Sequence, residues 1–362
     1  MKILMINRST AFSVPGGDTV QMIETANSIR KLGITVDIRL ANESIDYSGY
    51  DLIHFFNIIR PSNISGHVKK AQLPFVISTI FVDYTEIDRK LGSPALKIAS
   101  KLLGSDRLEY LKGIARWIIN NEKFVDYSYL IKGHKRSVEK LLNTASVLLP
   151  NSDCEYNRLK ERYNFKNEYI KVPNAVSEDF YVDPSTIVKE GIVCVARIEA
   201  LKNQLNLVSA VKGINTTLKI IGKPAPNHME YYEKCKENAP ENVEFLGQLE
   251  KSEIIGELDK AKVHVLPSWF ETTGLSTLEA AARNCSIVIT KKGDTQEYFG
   301  NKAWYCDPEN IDSIREALVS ALNDDSQLHN FIKENYTWDK AALKTVEAYH
   351  RAIKGDVKSN YQ

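Results

Sequence analysis

Short apolar runs alternate with helical patterns over the first half of the chain. Each run is bounded by polar or turn-forming residues, which is typical of a buried strand. Between the first two runs, Thr19–Leu32 places its apolar residues on one helical face. Strands that alternate with helices predict βαβ units and a parallel sheet. The predicted strands are Lys2–Ile6, Thr35–Ile38, Leu52–Phe56, Phe75–Ser78 and Ser146–Leu149.

The second half repeats the alternation more regularly and predicts a second doubly wound α/β domain. A polar stretch without a strand pattern, Pro173–Ile187, is the predicted linker. A last amphipathic helix is expected at Lys340–Ile353. The predicted strands are Ile192–Ala196, Leu218–Ile221, Val243–Phe245, Val263–Leu266, Ile287–Thr290 and Trp304–Cys306, and the predicted helices are Gln204–Val211, Met229–Glu237, Lys251–Ala261, Leu275–Arg283 and Ile311–Leu322.

Ligands of open α/β sheets bind beyond the carboxyl ends of the strands, so the residues just after each strand are the candidates for chemistry. The first such segment is Pro15-Gly16-Gly17-Asp18, which follows the first strand and opens a helix. Paired glycines let a backbone approach a ligand closely, and helix N–H groups favour an anion. The alternative is a plain tight turn. The dinucleotide fingerprint GxGxxG is absent, which argues against a nicotinamide dehydrogenase.

Two cations follow the first strand of the second domain. Arg197 and Lys202 lie five residues apart where the next helix begins. A guanidinium offers a planar fork and an ammonium a mobile point charge, so the pair suits a diphosphate. The alternative is that both are ordinary solvated surface cations.

The strongest pattern is a pair of carboxylates around a glycine. Glu271 and Glu279 lie eight residues apart, and Gly274 stands where the loop should turn into a helix. Both carboxylates can face the same cleft, and a carboxylate accepts two hydrogen bonds from sugar hydroxyls. The alternative is a carboxylate that only caps the helix.

Composition and charge narrow the class of protein. The chain has 362 residues, 47 Lys and Arg against 46 Asp and Glu, and a net charge of +1. This balance excludes a disordered chain and a general nucleic-acid binder. No apolar run is long enough for a membrane span or a secretion signal, so we expect a cytoplasmic protein. The cysteines fit reduced structural thiols, being widely spaced at Cys154, Cys194, Cys235, Cys285 and Cys306.

Taken together, Pro-Gly-Gly, Arg-x4-Lys and Glu-x7-Glu resemble the group 1 glycosyltransferases, the retaining family 4 enzymes with the GT-B fold. The resemblance implies two Rossmann-like domains that face a central cleft. It assigns residues 1–178 to acceptor binding and 179–338 to donor binding, with 339–362 forming a helix that returns to the first domain and a polar tail. Further matching segments are Leu149–Ser152, Val172–Val176, Gly293–Tyr298 and Tyr336–Trp338.

The resemblance also implies roles for single residues. Arg197 and Lys202 would hold the donor diphosphate and offset the charge of the leaving group. Glu271 would contact the donor sugar near its anomeric carbon, and these three residues would form the catalytic set. Glu279 would bind the ribose. The donor site would be completed by Gly16, Gly17, Thr272, Thr273, Gly274, Leu275 and Ser276.

The resemblance implies transfer of a hexose from a nucleotide sugar to a glycan or lipid-linked acceptor, with retention at the anomeric carbon. The first choice of donor is a UDP-sugar, and the second is GDP-mannose. Surface polysaccharide synthesis, of lipopolysaccharide or capsule, is the expected setting. We expect no metal and no cofactor, because no Asp-x-Asp occurs and the two cations can offset the diphosphate charge. No nucleic acid is expected as a partner. The alternatives are a GT-B epimerase, a sugar phosphorylase and a non-catalytic binding partner.

The first domain departs from the family pattern. Asp83 stands near the place of a family histidine, and Asn174 belongs to an Asn-Ala-Val segment where Asn-Gly-Val is usual. His54 follows the apolar pattern of a strand and is either a cleft residue or a satisfied structural histidine. The candidate acceptor residues are Asp18, His54, Asp83 and Asn174.

The near-neutral total conceals a basic segment, residues 85–148. It contains twelve Lys and Arg against seven Asp and Glu, a net charge of +5, so the rest of the chain carries −4. Its apolar residues follow a helical spacing. The segment is therefore either an amphipathic surface that meets an anionic membrane, on its inner cytoplasmic face, or a solvated helical insertion with a buried apolar stripe.

Overall fold

The computed structural model describes residues 1–119, 126–181 and 188–359. The chain divides into two compact units, one formed by Met1–Asn174 with Trp338–Gln362 and the other by Ala175–Thr337. The division lies a few residues before the boundary at 178/179 that the sequence suggested. Residues 182–187 of the predicted linker lie outside the described residues, as do Glu122 and Lys123 of the basic segment.

The first unit contains a five-stranded sheet in the order β2-β1-β3-β4-β5, with every neighbouring pair parallel. Except for β2, its strands are almost wholly buried, which explains their continuous apolar runs. The described residues of the basic segment form four helices, α3 to α6, between β4 and β5. The elements are β1 Lys2–Asn7, α1 Gly17–Lys31, β2 Thr35–Leu40, β3 Leu52–Phe56, α2 Pro61–Ala71, β4 Phe75–Ser78, α3 Thr85–Leu91, α4 Pro94–Leu103, α5 Ser105–Ile119, α6 Ser128–Thr144, β5 Val147–Leu149 and α7 Asp153–Arg162.

The second unit contains a six-stranded parallel sheet in the order β11-β10-β9-β6-β7-β8. Helices pack against the sheet, and the apolar side chains of the strands and the helices form two buried clusters. Its elements are β6 Ile192–Val195, α8 Gln204–Ala210, β7 Leu218–Ile221, α9 Met229–Asn238, β8 Val243–Gly247, α10 Lys251–Lys260, β9 Val263–Leu266, α11 Leu275–Ala282, β10 Ser286–Thr290, α12 Thr295–Phe299, β11 Trp304–Cys306, α13 Ile311–Leu322 and α14 His329–Asn335.

The predicted α/β architecture is confirmed: every predicted strand is present, and each lies within two residues of its predicted bounds. The last helix, α15 (Trp338–Ser359), packs on the first unit against α1 and the strands β3 to β5. None of the described helices combines the length and the apolar character that crossing a bilayer requires. All five cysteines are free thiols, and Cys154 is the exposed one.

Candidate functional site

In the second unit, the loops that carry the predicted donor residues lie side by side. One loop, residues 196–203, follows β6, and the other, residues 267–274, follows β9. These two strands are neighbours at the centre of the sheet. Because all strands run parallel, both loops leave the same edge of the sheet, which is where α/β domains bind ligands.

An ion pair joins the two loops. The Lys202 ammonium donates to Glu271 Oε1 at 2.6 Å. Glu271 is buried, and the Lys202 side chain is one-fifth exposed. The structure therefore brings together two of the residues that the sequence singled out, although they are separated by 69 positions. A partly desolvated pair of this kind holds a fixed positive and a fixed negative group at one place.

The loop after β6 is held by its own side chains. Gln204 donates to the Arg197 carbonyl at 2.8 Å, which fixes the backbone of that residue. Asn203 donates to the carbonyls of Pro267 and Pro308 at 3.1 and 2.8 Å. The Asn203 amide therefore links the loop of Lys202 to the loop of Glu271 through the Pro267 carbonyl.

Arg197 is an exposed cation of this edge. Its guanidinium Nη2 lies 3.1 Å from Glu199 Oε1, and its side chain is 41% exposed. Glu199, in contrast, is buried. The analysis of the sequence did not single out Glu199, because a carboxylate two residues after a cation has no distinctive spacing.

The remaining predicted donor residues lie at the start of α11. Gly274 is the residue that precedes the helix, and Glu279 lies in its second turn and is half-buried. Thr273 is buried. Backbone N–H groups at the start of a helix favour an anion. The residues placed on this loop and first turn are Thr272, Thr273, Gly274, Leu275 and Ser276.

In the first unit, the predicted glycine segment lies at the start of α1, with Gly16 as cap and Gly17 as first residue. Asp18 is buried and engaged by Arg8, whose Nε and Nη2 donate to the two carboxylate oxygens at 2.7 and 3.1 Å. Arg8 also donates to the Val14 carbonyl at 2.8 Å. A Cβ on Gly16 would lie 2.9 Å from Asp18 Oδ1, so an added side chain would crowd this ion pair.

Arg8 is thus a site-forming residue that the sequence analysis missed. The signal for it was a cation directly after β1, at the carboxyl edge of the sheet. Asp18 is paired with Arg8, and the contact with an acceptor that was expected for it stays a prediction. The structure gives its carboxylate a role in holding the loop before α1.

The other predicted acceptor residues are scattered. Asp83 Oδ1 accepts from the Thr85 backbone at 2.9 Å and from Arg162 Nη1 at 3.2 Å, so it holds the start of α3. Asn174 is buried at the end of the first unit. The prediction that His54 lines a cleft is contradicted, because its ring is 1% exposed and both nitrogens are used inside the unit.

His54 has a structural role instead. Its Nδ1 lies 2.8 Å from the Tyr349 hydroxyl of α15, and its Nε2 lies 2.9 Å from the Ser78 hydroxyl. Burial lowers the pKa of His54 to about 3, so the ring is neutral.

No group of three or more metal-ligating side chains occurs among the described residues. The predicted donor groups of the second unit are two cations (Arg197 and Lys202), two carboxylates (Glu271 and Glu279) and the start of α11, and Glu199 is a third carboxylate beside Arg197. This set suits an anionic, hydroxyl-bearing ligand such as a nucleotide joined to a sugar.

Comparison with known proteins agrees with this set. Residues 186–338, which include every predicted donor residue of the second unit, match the sequence model of the family described as glycosyl transferases group 1. D-inositol 3-phosphate glycosyltransferase of Corynebacterium urealyticum is 24% identical over 96% of this chain and 95% of that protein. Poly(glycerol-phosphate) alpha-glucosyltransferase of Bacillus subtilis is 23% identical over 65% of this chain, and this chain spans about a third of that protein, 35%.

Among solved structures, Anabaena Alr3699/HepE in complex with UDP and glucose is similar, with a TM-score of 0.66 and 15% identity over 96% of this chain and 98% of that one. The fold is therefore that of the GT-B glycosyltransferases, with two Rossmann-like domains. The match to the family model then assigns residues 186–338 to the group 1 glycosyltransferases, the family that the motifs resemble, and the relative that is similar over 96% of the chain is itself a glycosyltransferase.

Proposed function

We propose that the protein transfers a hexose from a nucleoside diphosphate sugar to a hydroxyl group of a glycan or lipid-linked acceptor, with retention at the anomeric carbon. The observation that carries the proposal is the Lys202–Glu271 pair, which lies at the ligand-binding edge of the domain that matches the family. Arg197 supplies a second, exposed cation on the same loop as Lys202.

The chemistry follows from where the charge develops. As the bond between sugar and diphosphate breaks, negative charge grows on the phosphate oxygens, and Arg197 and Lys202 stabilise it. Glu271 accepts hydrogen bonds from the sugar hydroxyls and holds the sugar beside the ammonium. Since two cations offset the leaving charge, the transfer proceeds without a metal. Chelation with EDTA should then leave the rate unchanged.

The substrates are proposed from the names of similar proteins. A UDP-sugar is the first choice of donor, because the similar Anabaena protein binds UDP with glucose. GDP-mannose is the second. A surface polymer or lipid-linked glycan is the proposed acceptor, and the name of the Bacillus subtilis relative, a glucosyltransferase acting on poly(glycerol-phosphate), supports it.

The deciding experiment is a thermal-shift screen of nucleotide sugars, followed by donor turnover with Arg197→Ala, Lys202→Ala and Glu271→Gln. Each substitution should lower turnover by about 100-fold or more, the usual cost of removing one preorganised group from a charge-stabilising site. Lys212→Ala is the matched control, because Lys212 is an exposed lysine of the same unit. Unchanged turnover in both cation variants would show that the site is wrongly assigned.

The same screen separates the other GT-B activities. Donor binding with no dependence on any added acceptor would indicate an epimerase. A thermal shift with a sugar phosphate but none with a nucleotide sugar would indicate a phosphorylase. No shift with any of them would indicate a binding partner without transferase activity.

The basic segment is proposed to meet an anionic membrane surface on the cytoplasmic side, which would bring the enzyme to a lipid-linked acceptor. Of the sixteen large apolar side chains that are exposed among the described residues, six lie in this segment. Three of them are more than half exposed on α4 and α6: Ile98 at 61%, Leu102 at 76% and Ile131 at 90%.

The charges around these side chains favour anionic lipid. Several acidic groups of the segment are engaged in ion pairs within the unit: Asp88 and Glu109 with Lys112, Asp106 with Arg162, and Asp126 with Lys69. The cations that neighbour the exposed apolar residues have no ion-pair partner among the described residues. They are Lys97, Lys101, Lys132, Lys135 and Arg136.

Flotation with vesicles tests this surface. Binding is expected to phosphatidylcholine vesicles that contain phosphatidylglycerol, and to weaken with added salt. The double variant Ile98→Gln, Leu102→Gln should lose binding. Leu343→Gln should not, because Leu343 is equally apolar and 58% exposed but lies on α15. Equal binding to neutral vesicles, or none to either, would favour a solvated helical insertion.

A further inference from the structure

Two glycines of the second unit bring neighbouring chains against the loops that carry the candidate catalytic residues. Gly222 follows β7 with φ of +140°, and Gly293 follows β10 with φ of +103°. A Cβ on Gly222 would overlap the carbonyl oxygen of Ala196, and a Cβ on Gly293 would overlap that of Glu271. Each overlap is with backbone, which cannot rotate away as a flexible side chain would.

Hydrogen bonds on both sides of each glycine hold these approaches in place. Around Gly293, the Glu271 N–H donates to the Lys292 carbonyl at 3.2 Å, and the Asp294 N–H donates to the Glu271 carbonyl at 2.9 Å. The backbone of Glu271 is therefore hydrogen-bonded to the residues immediately before and after Gly293.

The second glycine is held in the same way. The Ala196 N–H donates to the Ile221 carbonyl at 3.0 Å, and the Ile198 N–H donates to the Lys223 carbonyl at 2.9 Å. The residue between the two bonded positions is Arg197. Its backbone is therefore located by the chain that runs through Gly222.

The order of the strands places these two contacts on opposite sides of the two candidate loops. In the sheet, β10 flanks β9 and β7 flanks β6. The two catalytic loops therefore lie in the middle, joined by the Lys202–Glu271 pair, and a glycine-bearing chain supports each loop from its outer side. A shift of either support displaces a charged group relative to its partner.

We propose that Gly222 and Gly293 are positioning residues for the transfer reaction, and that they set the spacing of Arg197, Lys202 and Glu271 through backbone approach. The inference rests on the proposed function of those three residues. A displacement of about 1 Å at a reacting centre costs about 100-fold in rate, so even a small shift caused by one added methyl group should be measurable.

The test compares four alanine substitutions. Gly222→Ala and Gly293→Ala add a methyl group where there is no room. Gly213→Ala and Gly300→Ala are matched controls, because these glycines also have positive φ, +75° and +52°, but no atom lies within 4 Å of the added Cβ. All four should lose thermal stability from backbone strain. Turnover of UDP-glucose, or of GDP-mannose if the screen selects it, should fall by about 100-fold only in the first two.

A double-substitution cycle separates positioning from general damage. In the Glu271→Gln background, Gly293→Ala should change the Kd of the same donor much less than it does in the wild type, because the group it positions is already altered. An equal effect in both backgrounds would overturn the inference. So would parallel losses of turnover in all four glycine variants.

If Gly293→Ala does not fold, Gly222→Ala and the two control variants carry the test. The two hypotheses fail in different ways. Full activity of Glu271→Gln and Arg197→Ala would refute the proposed function. Loss of activity in those two variants, with Gly222 and Gly293 variants as active as their controls, would refute only the positioning role.

Discussion

At the scale of single residues, both cations of the candidate site have a carboxylate partner in the same unit. Lys202 is paired with Glu271, and Arg197 with Glu199. Glu271 is a proposed substrate contact, but Glu199 is not. Because Glu199 competes with a diphosphate for the guanidinium, it should weaken donor binding and limit binding of other anions.

Replacing Glu199 by Gln should therefore tighten the binding of a nucleoside diphosphate. An ion pair with one exposed partner contributes up to about 1 kcal/mol, so the Kd of UDP should fall by up to about fivefold. Calorimetry with UDP measures the effect, and uridine, which lacks phosphate, should bind as before. Glu230→Gln is the control, since it removes an exposed carboxylate of the same unit. An equal gain for uridine would contradict the explanation.

The sequence could name these cations but not their partners. Arg197 and Lys202 stand at a spacing that suits a diphosphate, and Glu271 belongs to a recognisable pattern. That Lys202 meets Glu271 depends on β6 and β9 being neighbours in the sheet. Arg8 was not predicted, because its role depends on the contacts that it makes with Asp18 and the Val14 carbonyl in the folded loop.

At the scale of elements, α15 is attached to the first unit through a buried polar chain. Tyr349 is fully buried and contacts His54, which in turn contacts Ser78. The pKa of Tyr349 is raised well above its ordinary value by burial, so the hydroxyl keeps its proton. The helix is therefore fixed by both apolar packing and hydrogen bonds.

Tyr349→Phe should destabilise the first unit by about 1–3 kcal/mol, because it leaves a buried ring nitrogen without its partner. Thermal and urea denaturation measure the loss. The double variant His54→Phe, Tyr349→Phe should recover part of it, since it removes both polar groups. If the two substitutions do not interact, the losses of stability caused by His54→Phe and by Tyr349→Phe should simply add in the double variant. Such additive losses would argue against the coupling.

Most elements were predicted from the chain, but several helices were not. All strands and the helices α1, α8 to α11, α13 and α15 follow from apolar runs and helical spacing, as do the bounds of β3, β4, β7 and β9, whereas α2 and α7 were not predicted. The helices α12 and α14, of five and seven residues, were not predicted, because one or two turns give no clear period.

At the scale of the whole molecule, each unit buries a neutral histidine on a central strand. Burial lowers the pKa of His54 and that of His264 to about 3. Neither nitrogen of His264 has a hydrogen-bond partner. In the unfolded chain these rings take up protons below their ordinary pKa of 6.5, whereas in the folded protein they do not until far lower pH.

The free energy of unfolding should therefore decrease as the pH falls from about 6.5 towards 4. Below the ordinary pKa the unfolded state binds more protons than the folded one, and each such histidine contributes a slope of about 1.4 kcal/mol per pH unit. His264→Leu should remove one of these contributions and be at least as stable as the wild type at pH 7. Denaturation at several pH values tests this, and parallel curves for the two proteins would contradict it.

The sequence by itself determined the two α/β domains, the resemblance to a family and the candidate residues of the donor half, because these depend on local periodicity and on motifs that are contiguous along the chain. The tertiary structure decided what each group touches: that Lys202 meets Glu271, that Asp18 holds Arg8, and that His54 is buried under α15. The reason is physical. Pairing and burial depend on which strands become neighbours and which helix covers them, and these contacts join residues far apart in the chain.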